Sequence, residues 1–328
     1  MPHHLHILTP GEHLTPEALE THVLASSRLR LRFAAEAFVR QGQSVSAGDT
    51  APDDTSHLLV GKIGATDVEA RSKSWLRQIA QIKKASGIVL LDYTDHHLGT
   101  HSPMTAFYQQ AAHLADRIIV PNEALQSALS HEYSIQAEIV VVDDALEFQL
   151  VKPKKARLQA DKANVLWFGH PSNAHFLCEF LEVWPQSETP VELLIVSSQP
   201  TLETLAAYRF RKVPPVNIKF MPWSLQNLPQ AAKHSDFTII PSSVHSNKKF
   251  VSNNRLVTAL ALGLPTLATP LPSYQEFAEF FSPLSPDNLL TLIKDPSSKI
   301  ESISRFQKEY APRFAGKPLV DKWALVLR

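Results

Sequence analysis

Eleven short apolar runs, most of them separated by helix-length stretches, constrain this chain more than any other feature. "LHILT", "SVSAG", "HLLVGKI", "GIVLLDY", "DRIIVP" and "EIVVVDD" occupy the first half. "NVLWFG", "VELLIVSS", "NIKFMPW", "DFTIIPSS" and "PTLATP" occupy the second. Each has the length of a strand, and most read apolar throughout rather than alternating with polar residues. Continuous apolar strands are buried on both faces, which is the condition of a parallel sheet covered by helices. Candidate helices such as "PEALETHVLASSRLRLRFAAEAFVRQG" and "PMTAFYQQAAHLA" supply that cover. The pattern predicts an α/β protein. Its 328 residues suffice for two domains. A polar, basic stretch without periodicity divides them, giving domains at 1–150 and 165–328 with a linker at 151–164.

Composition narrows the chemistry. Lys plus Arg and Asp plus Glu are 32 each, so formal charge is zero, which argues against broad nucleic-acid binding. The ten glycines include no Gly-x-Gly, so neither a dinucleotide fingerprint nor a P-loop can be written. Any phosphate then has to be held by helix N-termini and cationic side chains. The lone Cys178 rules out an internal disulfide and fits a reducing compartment. "MPHHLHILTPGEH" lacks the pattern of a signal peptide, and no run reaches the roughly 18 apolar residues of a membrane span. A cytoplasmic protein without a transmembrane segment is the expectation.

Ligands of open parallel sheets bind beyond the carboxyl ends of strands, so residues just after each strand carry the candidate chemistry. Two junctions in the second half are suited to an anion. After "DFTIIPSS", the residues Ser252, Asn253 and Asn254 are N-cap types at the start of "RLVTALAL", and Gly263 and Pro265 end that helix. Lys248, Lys249 and Arg255 add positive charge at its N-terminus, where a diphosphate fits. After "NVLWFG", Gly169 allows close approach to the backbone and His170 offers a ring nitrogen. The first junction also reads as an ordinary capped helix with solvated cations, and the second as a turn glycine beside an exposed histidine. Ser197 follows another strand, and Trp223 after "NIKFMP" is placed either against a nucleobase or in the core. In the first half, "LLDYTDHHLGTH" is the richest polar cluster. Asp92, Asp95, His96 and His97 are candidates for a general base on an acceptor hydroxyl, or for a loop cap with solvated histidines.

"FGHPSNAHFL", "NIKFMPWSLQNLPQAAKHSDFTIIPSS" and "NKKFVSNNRLVTALALGLPTLATP" together resemble the second half of GT-B glycosyltransferases, most nearly glycosyltransferase family 4. "ASSRLRLRFAAEAFVRQGQSV" and "LADRIIVPNEAL" resemble its first half. The resemblance implies two Rossmann-like domains facing a central cleft, with the acceptor in the first and a nucleotide-sugar donor in the second. The C-terminal "KPLVDKWALVLR" would return as a helix towards the first domain. It implies sugar transfer to an acceptor hydroxyl without a catalytic metal or cofactor, the nucleotide sugar being a co-substrate. The acceptor, whether glycan, lipid-linked or protein, is left open. Asp95, His96, His97 and His101 have zinc-type side chains, but their spacing matches no specific site. The alternatives are a GT-B nucleotide-sugar epimerase and a non-catalytic binding or partner protein. The Glu-x7-Glu pair of the family is replaced by Phe250 and Thr258. Losing two carboxylates makes a donor pocket more positive and favours an acidic donor sugar, with Asn253 and Asn254 as neutral acceptors. On that argument the wild type binds acidic nucleotide sugars better than neutral ones, and Thr258→Glu removes the preference. Calorimetry on both proteins with both donor types checks it.

Overall fold

A computed structural model describes residues 3–11, 14, 15, 17–22, 24–64, 66–153 and 161–328. Contacts divide the chain into two compact units. The first takes in the chain to Ala145, together with Phe250–Ser252 and Arg313–Arg328; the second holds Leu146–Lys249 and Asn253–Pro312. The second unit therefore starts at Leu146, and the C-terminal segment groups with the first unit rather than with 165–328. Strand structure resumes at Ala163, inside the segment read as linker, of which residues 154–160 lie outside the described residues.

The first unit is built on β1 (His4–Leu8), β2 (Ser44–Gly48), β3 (His57–Val60), β4 (Ile88–Asp92), β5 (Arg117–Val120) and β6 (Glu138–Val141). They form one sheet in the order β2-β1-β3-β4-β5-β6. Every pairing is parallel. Helices α1 (Arg32–Arg40), α2 (Val68–Lys84), α3 (Thr105–Leu114) and α4 (Glu123–Glu132) alternate with the strands. Two apolar clusters follow from the strand alternation. Leu58, Val60, Val89 and Leu91 meet Trp75 and Ile79 of α2 on one face. Leu5, Ile7, Leu59 and Leu90 meet Phe33 and Phe38 of α1 on the other.

The second unit holds β7 (Ala163–Phe168), β8 (Val191–Ser197), β9 (Asn217–Pro222), β10 (Phe237–Ile240), β11 (Thr266–Ala268) and β12 (Ser282–Pro283). Their order is β12-β11-β10-β7-β8-β9, again all parallel. Counted within the unit, this is 3-2-1-4-5-6, the strand order of a doubly wound nucleotide-binding sheet. Its helices are α5 (Ala174–Glu182), α6 (Pro200–Ala207), α7 (Asn227–His234), α8 (Asn254–Ala261), α9 (Pro286–Lys294) and α10 (Ile300–Glu309). The last helix, α11 (Gly316–Val326), packs on α1 and buries Leu319, Val320 and Trp323 in the first unit.

Every apolar run read from the sequence is a strand. The two-residue β12 leaves no such trace. The first long helical stretch is not one helix: a 3-10 turn at Glu17–Glu20 and a π-helical turn at Ser27–Leu31 precede α1. All five residues of the π turn are buried, which a helix with one apolar stripe does not achieve. The end of α8 follows its sequence signal. Gly263 has φ +77°, its N–H bonds Leu260 O at 3.1 Å, and Leu264 N bonds Ala259 O at 3.1 Å, a complete Schellman motif. A Cβ there would lie 2.5 Å from Val151 O. Gly263→Ala should therefore cost more than the roughly 1–2 kcal/mol of a left-handed L-residue alone. Urea unfolding of the variant measures it.

Candidate functional site

In a doubly wound sheet the ligand crevice opens where the strand order reverses, at the carboxyl ends of the two strands flanking that point. In the second unit those strands are β7 and β10. Gly169 follows β7 directly. Its carbonyl accepts from Ser197 Oγ at 2.6 Å, and Ser197 O in turn accepts from Trp223 N at 2.8 Å. The ends of β7, β8 and β9 are thus stitched into one rim. Ser197 is fully buried, whereas Trp223 is 38% exposed and outside the core. His170 is exposed and caps the following 3-10 turn, its Nδ1 accepting from Ser172 N at 3.2 Å.

Arg255 in the first turn of α8 reaches back to this rim. A Cβ added at Gly169 would stand 3.2 Å from Arg255 Nη1, so the glycine's missing side chain makes room for the guanidinium. Nη1 is buried without a hydrogen-bond partner, and among the described residues no carboxylate forms an ion pair with Arg255. Asn253 is 2% exposed and sits at the N-cap position without bonding an amide of α8, its Oδ1 also lacking a partner. Half-buried Asn254 opens the helix. The start of α8 is therefore not satisfied by its own cap, and a cation stands beside it, the arrangement that favours an anion. Lys248 and Lys249 lie half-buried on the 3-10 turn Asn247–Phe250.

The four first-unit candidates differ in burial and in their partners. Asp92 is fully buried, with Oδ1 accepting from Arg30 Nε at 2.7 Å. Arg30 Nη1 also bonds Asp144 Oδ1 at 2.9 Å, and its guanidinium lies over the Trp323 ring at 5.5 Å. Asp92 is thereby sealed from solvent, with its Oδ2 buried and without a hydrogen-bond partner. His96 is buried too, its ring edge-on to Phe250 at 5.0 Å and its Nε2 3.7 Å from Glu132. His97 stacks flat on Tyr108 at 4.5 Å. Asp95 alone of the four keeps substantial exposure, 32% of its side chain, and pairs with Lys62, which follows β3. Phe250, at one of the two missing-carboxylate positions, is a core residue of the first unit, and the Asn122 side chain donates to its carbonyl at 3.2 Å. Thr258 is buried within α8.

Among the described residues, no three His, Cys, Asp or Glu side chains gather as a metal-binding group. The N-terminal histidines are engaged by Ser46, whose Oγ lies 2.8 Å from both His4 Nε2 and His6 Nδ1. No described helix is long and apolar enough to cross a membrane. Sequence reasoning missed Arg30 and Asp144, because a buried ion cluster leaves no periodic signal. It also passed over Ser273 and Tyr274 in the proline-rich turn after β11.

No family model and no curated protein matches the chain. Solved structures match it at the level of the fold. TarM from S. aureus superposes with TM-score 0.63 at 12% identity over 84% of this chain and 55% of its own, so this chain spans about half its length. Anabaena Alr3699/HepE, solved with UDP-glucose, matches over 99% of both chains at 16% identity and TM-score 0.66. T4 phage β-glucosyltransferase matches over 98% of both at 14% and 0.56. What is shared is the architecture, and the two parallel six-stranded sheets with interleaved helices have the GT-B glycosyltransferase fold.

The surroundings of Asp92 carry a pH signature. Burial raises its pKa to about 6 from 3.8, against the opposing pull of Arg30. A carboxyl raised in the folded state binds its proton more tightly there than in the unfolded chain. Its contribution to stability is therefore greatest at low pH and is lost as pH rises from about 4 through about 6. Urea unfolding at pH 4.5, 6 and 7.5 should show a smaller loss of stability with rising pH in Asp92→Asn than in wild type.

Proposed function

We propose that this protein transfers a sugar from a nucleotide-sugar donor to an acceptor hydroxyl. The observation that carries the reading is Arg255: a guanidinium nitrogen buried without a partner, beside a side-chain-free residue at the switch point of a nucleotide-binding sheet. Leaving such a donor unsatisfied costs about 1–3 kcal/mol unless a ligand fills the role. A donor diphosphate does so, taking Arg255 and the N-terminal amides of α8, with Gly169 allowing close approach. Lys248, Lys249 and His170 extend the positive or donating surface of the same unit. Trp223 gives a nucleobase a flat apolar face. Positive charge at the β-phosphate stabilises the leaving nucleotide as the glycosidic bond breaks, which is the electrostatic contribution that sugar transfer requires. On this reading the cation supplies it and no metal takes part.

The acceptor is assigned to the first unit. Asp95 is the candidate base, since it is the partly exposed member of the polar cluster after β4. Alr3699/HepE and T4 β-glucosyltransferase were both solved with UDP-glucose, which makes UDP-hexoses the first donors to test. The family within GT-B, the sugar and the acceptor are left to that test.

Turnover with a panel of UDP-, GDP-, ADP-, dTDP- and CMP-sugars is the direct experiment, and release of nucleotide with transfer of sugar is the expected result. Arg255→Ala should weaken UDP binding by roughly 1.5–3 kcal/mol in calorimetry. Asp95→Asn should lower turnover and leave UDP affinity within about twofold, a difference of ~0.4 kcal/mol. Unchanged UDP affinity in Arg255→Ala would remove that residue from the site.

A further inference from the structure

Charge is balanced over the whole chain but not over every part of it. Residues 204–235 hold no Asp or Glu and five cations, Arg209, Arg211, Lys212, Lys219 and Lys233. The first three lie on the connection between α6 and β9; all are exposed, and none forms an ion pair among the described residues. On the same connection stands Val213, 91% exposed. Its neighbours hold it outward. Phe210 and Val216, three residues to either side, pack against the core of the second unit. Arg211 N donates to Glu182 Oε1 at 3.0 Å, and Val216 N to Pro214 O at 2.8 Å. Pro214 and Pro215 fix φ and carry no N–H. The loop is thus fastened on both sides of an aliphatic tip that cations flank, with two fewer backbone donors to strip of water. Ile218 and Lys219 continue the exposed surface on β9, the outermost strand of its sheet. Lys219 shares Glu192 with Lys162.

We propose that this loop docks the second unit on an anionic lipid bilayer. Cations are drawn to a leaflet of anionic headgroups, and an aliphatic side chain among them gains by entering the boundary between headgroups and acyl chains. A nucleic acid would satisfy the charges but leave the valine against phosphates. A neutral apolar partner would leave the cations without anions. Each cation at such a leaflet strengthens binding by about fivefold, so Arg209, Arg211 and Lys212 together give on the order of 100-fold. Burying Val213 adds about tenfold. The product is half-saturation at roughly 1 mM lipid, a reversible association weaker than that of one myristoyl chain. The loop precedes β9 and so lies at the amino edge of a parallel sheet, whereas the ligand crevice opens at the carboxyl edge. Docking there leaves the crevice open, and the proposal stands apart from the transferase reading.

Co-sedimentation of the full chain with vesicles tests it, using phosphatidylcholine alone and phosphatidylcholine mixed with phosphatidylglycerol. The wild type should bind the mixed vesicles, leave the neutral ones, and be released as salt is raised. Combining Arg209→Gln, Arg211→Gln and Lys212→Gln should weaken binding to the mixed vesicles on the order of 100-fold. Val213→Ser should weaken it by about tenfold, because that residue's share is apolar. Both proteins should keep the wild-type melting temperature, since every altered side chain is exposed. Equal binding of the wild type to both kinds of vesicle, or to neither, would overturn the proposal. So would a triple variant that binds as the wild type does. Loss in the triple variant with none in Val213→Ser would mark a purely electrostatic surface, of the kind a nucleic acid meets, and would overturn it as well.

Discussion

All strands in each sheet run the same way, and most else in this structure depends on that constraint. A parallel strand must return by a crossover, so helices cover both faces and the loops after the strands gather along one edge. Where the winding direction reverses, neighbouring loops diverge and leave room for a ligand. In the second unit this happens between β7 and β10, and Gly169 stands at that point. In the first it happens between β1 and β3, where Thr9 follows one strand and Gly61 the other.

The two sheets use this edge differently. In the first unit much of it is filled by protein. The π turn brings Arg30 to Asp92, Ser27 lies 3.3 Å from the Thr9 hydroxyl, and His97 stacks on Tyr108. The last helix belongs to the same arrangement. Asp143 accepts from Arg313 at 3.1 Å and from Lys322 at 2.7 Å, one residue away from the Asp144 that holds Arg30. Two adjacent carboxylates thus fasten the C-terminal segment and the buried arginine at one place. Buried polar atoms without a hydrogen-bond partner occur in both units: Ser26 Oγ, Arg30 Nη2 and Asp92 Oδ2 in the first, and Ser242 Oγ, Asn253 Oδ1, Arg255 Nη1 and Ser273 Oγ in the second. Satisfied groups there would stabilise the fold; unsatisfied ones cost stability and are the kind that ligand recognition retains.

The contrast between Arg30 and Arg255 shows how little residue type says about role. Both are arginines near sheet edges with buried nitrogens. Neutralised by two acids, one serves packing. The other has a guanidinium nitrogen buried without a partner and no carboxylate ion pair among the described residues. The same holds for Asp92 and Asp95, three residues apart in one polar cluster. The first ends its strand inside the sheet and is sealed from water, and the second lies on the loop and is partly exposed.

The sequence by itself determined the elements and their direction of winding. Apolar runs too continuous for a one-sided sheet required parallel strands, and Gly263 with Pro265 set the end of α8, because only local φ/ψ preference and burial are involved. It also marked Gly169 and Arg255, since each is adjacent in the chain to a strand end or a helix start. Tertiary structure alone decided which of those positions meet. The carboxylates of Asp92 and Asp144 come together at Arg30, Phe250 joins the core of the first unit, and Arg255 comes to lie beside Gly169. Such pairings join residues many positions apart, and their energy comes from desolvation and charge in a packed interior. Those terms have no period along the chain, so no pattern in the sequence carries them.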